Sequence, residues 1–405
     1  MATEQLFVNV VIILVAARLL GEVFQRFNLP SLVGELLAGI IIGPSVLSLV
    51  KPNESLTVLS DLGVFFLMFL AGLEMDPREI RKAGIRAGIL SCIAFSLPFI
   101  SGFAASQLAG LNMIESLFMG LLLSITAVPV TAIVLMEFGI IKTKLGSTII
   151  TAAVINDILS LIILSVILQL SESGGTGTID INQILDSLIK IATFIGGIFL
   201  VDILLRKTSH WLPSRMSPLF ARLQTKEAAF GILLISTILL SLTAQELIGL
   251  HFIIGTFFSG LIVYKEIIRK QNFERVYGII SAITFGFFAP IFFAIVGINV
   301  QIDLIVKVIP LFLLLTAVAI LSKVGASYLG SRLARFSKDE SVAIAFLMNG
   351  RGMVELVIAT IGFGLGLIDI TLFSIAVLIG FITTIMAPVF SRPYVTKIKS
   401  KTLAT

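Results

Sequence analysis

Ser124-Ile-Thr-Ala-Val-Pro-Val-Thr131 cuts through the middle of an otherwise apolar run, residues 114–138, and Met348-Asn-Gly-Arg-Gly-Met353 cuts through a second one. Around them the chain is apolar almost throughout. Of its 405 residues 57% are hydrophobic and 13% charged, and the mean hydropathy is +1.08, whereas a globular domain carries about 25% charged residues. A soluble protein is excluded. Apolar runs at about 6–26, 30–50, 56–75, 85–109, 114–138, 145–170, 183–205, 225–244, 249–264, 276–297, 304–331, 341–364 and 369–390 are long enough to cross a bilayer, at about 20 residues each. Barrel strands would alternate with a period of two, which these runs do not, and a helix satisfies its own backbone in lipid. The expected fold is therefore an all-α multi-pass membrane protein of about 13 transmembrane helices.

Charge placement sets the topology. With the N-terminus outside, most of the 29 Lys and Arg residues fall on the cytoplasmic side; Lys51 and Lys307 fall outside, while Arg18, Lys190, Lys323 and Arg351 lie within spans. The net charge of +5 is then a topology signal, with contact to anionic membrane lipids as its consequence and no nucleic acid implied. No Lys or Arg precedes Arg18, so the first run reads as a retained span and not as a cleavable leader. One cysteine, Cys92, excludes an internal disulfide, and two histidines, His210 and His251, argue against a histidine-built metal centre or a catalytic dyad; no cofactor is expected.

The Gly/Ser-rich stretch 171–177 separates six runs from seven. Residues 1–390 then form one membrane domain: a first repeat over about 1–170, a linker helix at about 183–205 and a second repeat over about 225–390, followed by a basic cytoplasmic tail, 391–405. Each interruption falls in the fifth helix of its repeat, and the two run in opposite directions. Inverted repeats whose broken helices meet at the membrane midplane are the layout of secondary transporters, although Pro and Gly also serve plain packing in such helices.

Within the spans, charge costs about 2.5–3.5 kcal/mol even on the permissive insertion scale, so each charged residue needs a reason. Asp157, central in Ala152-Ala-Val-Ile-Asn-Asp-Ile158, ranks first. Apolar enclosure disfavours its bare charged form, so a proton and a hard monovalent cation compete for one pair of oxygens. That competition is sufficient for exchange of the two; a structural ion pair with Lys323 or Arg351 is the alternative. Asn156 can offer a carbonyl oxygen or orient Asp157, but it cannot release a proton. One titrating carboxylate predicts electroneutral exchange, with Lys323 as a basic partner or second proton carrier. Pro129 frees carbonyls that, together with the Thr126 and Thr131 hydroxyls, can coordinate a dehydrated alkali cation, or else the threonines bond back to their own helix. Arg351 and Glu355, spaced i, i+4, form either a neutral pair or a gate. Glu74 lies near a span end and is a further gating candidate.

Taken together, Pro30-Ser-Leu-Val-Gly-Glu-Leu-Leu-Ala-Gly-Ile-Ile-Ile-Gly-Pro44, Phe69-Leu-Ala-Gly-Leu-Glu-Met-Asp76, Thr126-Ala-Val-Pro-Val-Thr131, Asn156-Asp157 and Asn349-Gly-Arg-Gly-Met-Val-Glu-Leu-Val357 resemble the monovalent cation:proton antiporter-2 family, the Kef-type and plant CHX-like exchangers. The resemblance implies a NapA/NhaA-like homodimer with two crossing broken helices in a core domain that moves like an elevator. It also implies Asp157 as the ion and proton site, Asn156 beside it and Lys323 as basic partner. Many Kef-type members continue into a nucleotide-binding regulatory domain, and regulation of that kind is not expected from a tail of this length.

The expectation is an antiporter, not an enzyme, exchanging Na⁺, K⁺ or both for H⁺ across a prokaryotic cell membrane. A channel would need a continuous polar pore. An intramembrane aspartyl protease would need a second carboxylate beside Asp157, for which Glu355 is the one acid at comparable depth. A structural or receptor protein leaves the paired interruptions unexplained.

Overall fold

The computed structural model describes residues 2–75, 84–137, 140–141, 143–172, 228–248, 251–262 and 270–403, with isolated helical residues at 189, 193 and 196. The expected linker helix, the 171–177 hinge beyond residue 172 and most of the cytoplasmic basic residues between spans lie outside the described residues. The helices are α1 (Ala2–Arg26), α2 (Ser31–Ile42), α3 (Glu54–Glu74), α4 (Gly84–Leu108), α5 (Met113–Ser124), α6 (Val128–Glu137), α7 (Lys144–Glu172), α8 (Ala228–Ile248) and α9 (Phe252–Ile262). They continue with α10 (Lys270–Ile283), a π-helical turn at Thr284–Phe288, α11 (Ala289–Asn299), α12 (Ile302–Lys307), α13 (Ile309–Leu333), α14 (Lys338–Leu347), α15 (Met353–Gly364) and α16 (Ile370–Leu403).

The protein is an all-helical multi-pass membrane protein: among the described residues no strand occurs, and seven helices are long and apolar enough to cross a bilayer. Shorter apolar helices accompany them, α2, α5 and α15 among them. The expected run 30–50 gives a helix of 12 residues, because Gly43-Pro44 ends it. The expected last span runs on as helix to Leu403, through Pro388 and Pro393.

The chain forms two compact units. The first comprises Met1–Thr57, Arg78–Ile167 and Pro290–Thr405. Within it α2 meets α11 at Gly39 and Gly297, where a side chain on Gly39 would overlap the backbone of Ala294. Small residues at such crossings let helix backbones approach, which supplies the packing that lipid does not drive. Both half-helices that lead into the interruptions open on a capping box. In one, Glu115 N donates to Asn112 Oδ1 at 2.9 Å and Asn112 N to Glu115 Oε2 at 3.0 Å. In the other, Ser337 and Glu340 repeat the arrangement at the start of α14. These boxes fix where α5 and α14 begin, about three turns ahead of each break.

The second unit comprises Val58–Pro77 and Leu168–Ala289. In it α3 crosses α9 at Gly72 and Gly260. Aromatic rings fill the surroundings: Phe65 stacks on Phe252 with centroids 5.9 Å apart, and Phe66 on Phe288 at 4.8 Å.

Candidate functional site

Both interruptions are true breaks. Helix α5 stops at Ser124, Ile125 is extended (φ −68°, ψ 149°), and α6 begins at Val128. Pro129 is the second residue of α6, a position where its missing N–H would have had no intrahelical partner, so the proline starts the second half-helix instead of bending a continuous one. Helix α14 stops at Leu347, and α15 begins at Met353 after Gly352 in extended backbone.

The two breaks are stitched to each other. Ala127 N donates to Gly350 O at 2.8 Å. Thr126 Oγ1 donates to Met348 O at 3.2 Å, and Thr131 Oγ1 to Leu347 O at 3.1 Å, which also accepts from Gly350 N at 3.3 Å, so threonines of the first break bind carbonyls at the end of α14. Thr131 also bonds back to Ala127 O at 3.0 Å, so its hydroxyl serves its own helix and the facing break, in both cases through a backbone carbonyl.

The carbonyls orphaned at the end of α5 are taken by cations. Arg351 Nη1 donates to Leu122 O at 2.7 Å and Nη2 to Leu123 O at 2.9 Å. Lys323 Nζ, from α13, donates to Ser124 O and, at 2.9 Å, to Ala94 O of α4. Two basic side chains thus sit at the negative end of a half-helix, where the helix dipole favours positive charge. Arg351 lies in the link ahead of α15, not in the helix, yet its Nη1 still reaches Glu355 Oε1 at 2.9 Å. Both side chains are buried, and Thr384 Oγ1 holds the Arg351 carbonyl at 2.5 Å.

Asn156 and Asp157 enter from the middle of α7, both buried. Asn156 is held on both sides of its amide: Nδ2 donates to Thr126 Oγ1 at 3.1 Å, and Oδ1 accepts from Ser91 Oγ at 2.5 Å. Asp157 is different. It makes no ion pair among the described residues, and its buried Oδ1 has no hydrogen-bond partner among them. Lys323 acts on it through its charge, but the ammonium's hydrogen bonds go to carbonyls. Asp157, Asn156, Thr126, Thr131, Lys323, Arg351 and Glu355 therefore belong to one unit and, Asp157 apart, to one hydrogen-bonded assembly. Glu74 belongs to the other unit, where it accepts from Tyr277 Oη at 3.0 Å.

Ser91 and Thr384 are members that the sequence does not flag, since a lone hydroxyl in an apolar helix carries no signature. Asn349 appears in the motif at the second break; its side chain is fully buried, with Oδ1 and Nδ2 both lacking partners among the described residues.

Two broken helices joined at their breaks and capped by buried basic side chains, beside an unpartnered buried carboxylate, define a membrane transporter of the antiporter class and not an enzyme. The chain belongs to the sodium/hydrogen exchanger transmembrane family, which matches residues 10–397. It is 31% identical over 388 residues to the Na⁺/H⁺-K⁺ antiporter GerN of Bacillus cereus, covering 95% of each chain. It is 28% identical over 402 residues to cation/H⁺ antiporter 20 of Arabidopsis thaliana, covering 94% of this chain and 47% of that protein. Its fold is similar to that of the sodium proton antiporter MjNhaP1 from Methanocaldococcus jannaschii at pH 8, with a TM-score of 0.76, 19% identity and 99% of each chain covered.

Proposed function

We propose that this chain exchanges Na⁺, K⁺ or both for H⁺, by competition of cation and proton at Asp157. The observation that carries this reading is the unpartnered Asp157 Oδ1, buried in an assembly where Lys323, Arg351 and Glu355 each have a partner at hydrogen-bond distance. A buried carboxylate left so needs a proton or a cation. The cation-loaded and proton-loaded forms carry the same charge, and Asn156 adds no second acid, so one turnover moves no net charge. K⁺ stands beside Na⁺ because GerN, a Na⁺/H⁺-K⁺ antiporter, is among the relatives.

In this reading Asn156, Thr126 and Thr131 hold the site in shape, Lys323 and Arg351 compensate the half-helix ends, and Pro129 sets the break. Glu355 tempers Arg351, and Glu74 acts as a gate. Alternating access is an elevator-like movement of the unit that contains Asp157, in a homodimer, with the N-terminus outside and the C-terminus in the cytoplasm of a prokaryotic cell membrane. The repeats run over about 1–170 and 225–390, joined by a linker helix at 183–205 and followed by the 391–405 tail.

Everted vesicles containing a pH-sensitive dye test the reading: adding Na⁺ or K⁺ should dequench it with wild-type protein and not with Asp157→Ala. Silence toward both cations, or an active Asp157→Ala, would refute it.

A further inference from the structure

Glu355 keeps one carboxylate oxygen out of its pair with Arg351. Oε1 accepts from the guanidinium, whereas Oε2 is buried and has no partner among the described residues. Beside it, between α2, α15 and α16, lies a cavity with room for about one water molecule, lined by Leu32, Val33, Leu36, Gly352, Gly380 and Thr384 as well as Glu355. Gly380 makes the room: a Cβ there would stand 3.0 Å from Oε2.

Charge decides what suits this cavity. The charged groups acting on Glu355 are Arg351 and, from α13, Lys323. From α2 the lining is apolar, since Glu35 lies against Gly21 of α1 and bonds to Ser31. From α16 the polar group is the Thr384 hydroxyl, whose proton goes to Arg351 O and Gly380 O while its oxygen can still accept. Two basic side chains close by oppose a further cation, and the carboxylate opposes an anion. A neutral donor satisfies Oε2 without either cost.

We propose that this cavity binds a single water molecule, which donates to Glu355 Oε2 and to the Thr384 hydroxyl oxygen and gives that carboxylate a route for proton exchange separate from Asp157. A proton relayed onto this water from outside the cavity is matched by the water passing one of its own protons to Oε2, so the carboxylate gains a proton and the cavity still holds one neutral water. Arg351 keeps its bonds to the Leu122 and Leu123 carbonyls throughout, so protonation does not leave the guanidinium without acceptors. Asp157 need not take part in transport for this to hold.

Difference infrared spectroscopy of the protein in nanodiscs, with H₂O replaced by D₂O, reads this directly. As the pH is lowered, a protonated-carboxyl band should grow in that Glu355→Gln removes and Asp157→Asn leaves in place. Its shift in D₂O should slow by about tenfold or more in Gly380→Ala, whose methyl group takes the water's place, as expected for loss of one hydrogen bond. Val33→Ile, which narrows the cavity from α2, should slow it in the same direction and serves if Gly380→Ala does not fold. Absence of a Glu355 band at every pH, or equal exchange in wild type and the filled-cavity variants, would overturn the proposal.

Discussion

The backbone amide of Ala127 donates to the carbonyl of Gly350 at 2.8 Å, joining two interruptions that lie more than half the chain apart. Around this bond each break supplies what the other lacks. Thr126 and Thr131 reach the carbonyls ending α14, and Arg351 reaches those ending α5. A helix end in an apolar interior has no water to satisfy it, so separating the breaks would orphan several buried groups at once. The pair is therefore expected to behave as one rigid body.

Thr131→Val keeps the side chain's shape and removes the hydroxyl that serves Leu347 O and Ala127 O. Each carbonyl keeps a long backbone partner, Gly350 N to Leu347 O at 3.3 Å and Thr131 N to Ala127 O at 3.4 Å, so the loss is that of the hydroxyl's own hydrogen bonding, about 0.5–1.5 kcal/mol. Thermal unfolding in detergent should show a lower midpoint for Thr131→Val and recovery of most of the loss in Thr131→Ser.

Ser91→Ala deprives Asn156 Oδ1 of the hydroxyl that donates to it in the apolar interior. A loss of about 1–3 kcal/mol in stability is expected. Because the Asp157 carboxylate is untouched, the proton-to-cation ratio in liposomes should stay as in wild type while the turnover rate falls. A changed ratio would show that Ser91 and Asn156 do more than hold the site in place.

Lys323→Gln tests whether Lys323 carries a proton or caps a helix end. An amide keeps a donor for Ser124 O or Ala94 O but removes the charge. Exchange is expected to persist at an unchanged proton-to-cation ratio, whereas a carrier lysine would lower the ratio when replaced. Lys323→Met, with no donor, should lower stability more, by about 1–3 kcal/mol for a buried carbonyl left unmet.

Gly39→Ala and Gly88→Ala separate packing from propensity. At Gly39 the new methyl overlaps Ala294 and must push α2 and α11 apart, while at Gly88 it meets nothing within 4 Å. Overpacking costs about 1–3 kcal/mol or more, and Ala gains about 1 kcal/mol over Gly in a helix interior. Expression and thermal stability should fall for Gly39→Ala and hold or rise for Gly88→Ala.

Much of this was legible in the sequence, for identifiable reasons. Hydropathy marks the spans, Pro129 and Gly350-Arg-Gly352 mark the breaks, and an acid inside an apolar run marks Asp157. The partners were not legible. Lys323 and Arg351 invite pairing with carboxylates, and for Arg351 and Glu355 the i, i+4 spacing gives the pair that forms. Yet most of their hydrogen bonds go to main-chain carbonyls of Ala94, Leu122, Leu123 and Ser124, which any sequence would offer. The same holds for Ser91, whose value comes from facing Asn156 across 65 residues of chain. Helix ends were less legible than spans: hydropathy carries the second run to residue 50, although Gly43-Pro44 ends its helix at Ile42. They were not legible toward the end of α16, where Pro388 and Pro393 fail to stop the helix.

The most direct measurement is proton release from the purified protein on adding Na⁺ or K⁺ in weakly buffered solution. Occupation of a single carboxylate by either ion predicts about one proton released per cation bound at a pH where the site is protonated, with cation affinity weakening as the pH falls, and neither effect in Asp157→Asn. Cation binding without proton release in the wild type, or undiminished release from Asp157→Asn, would contradict it.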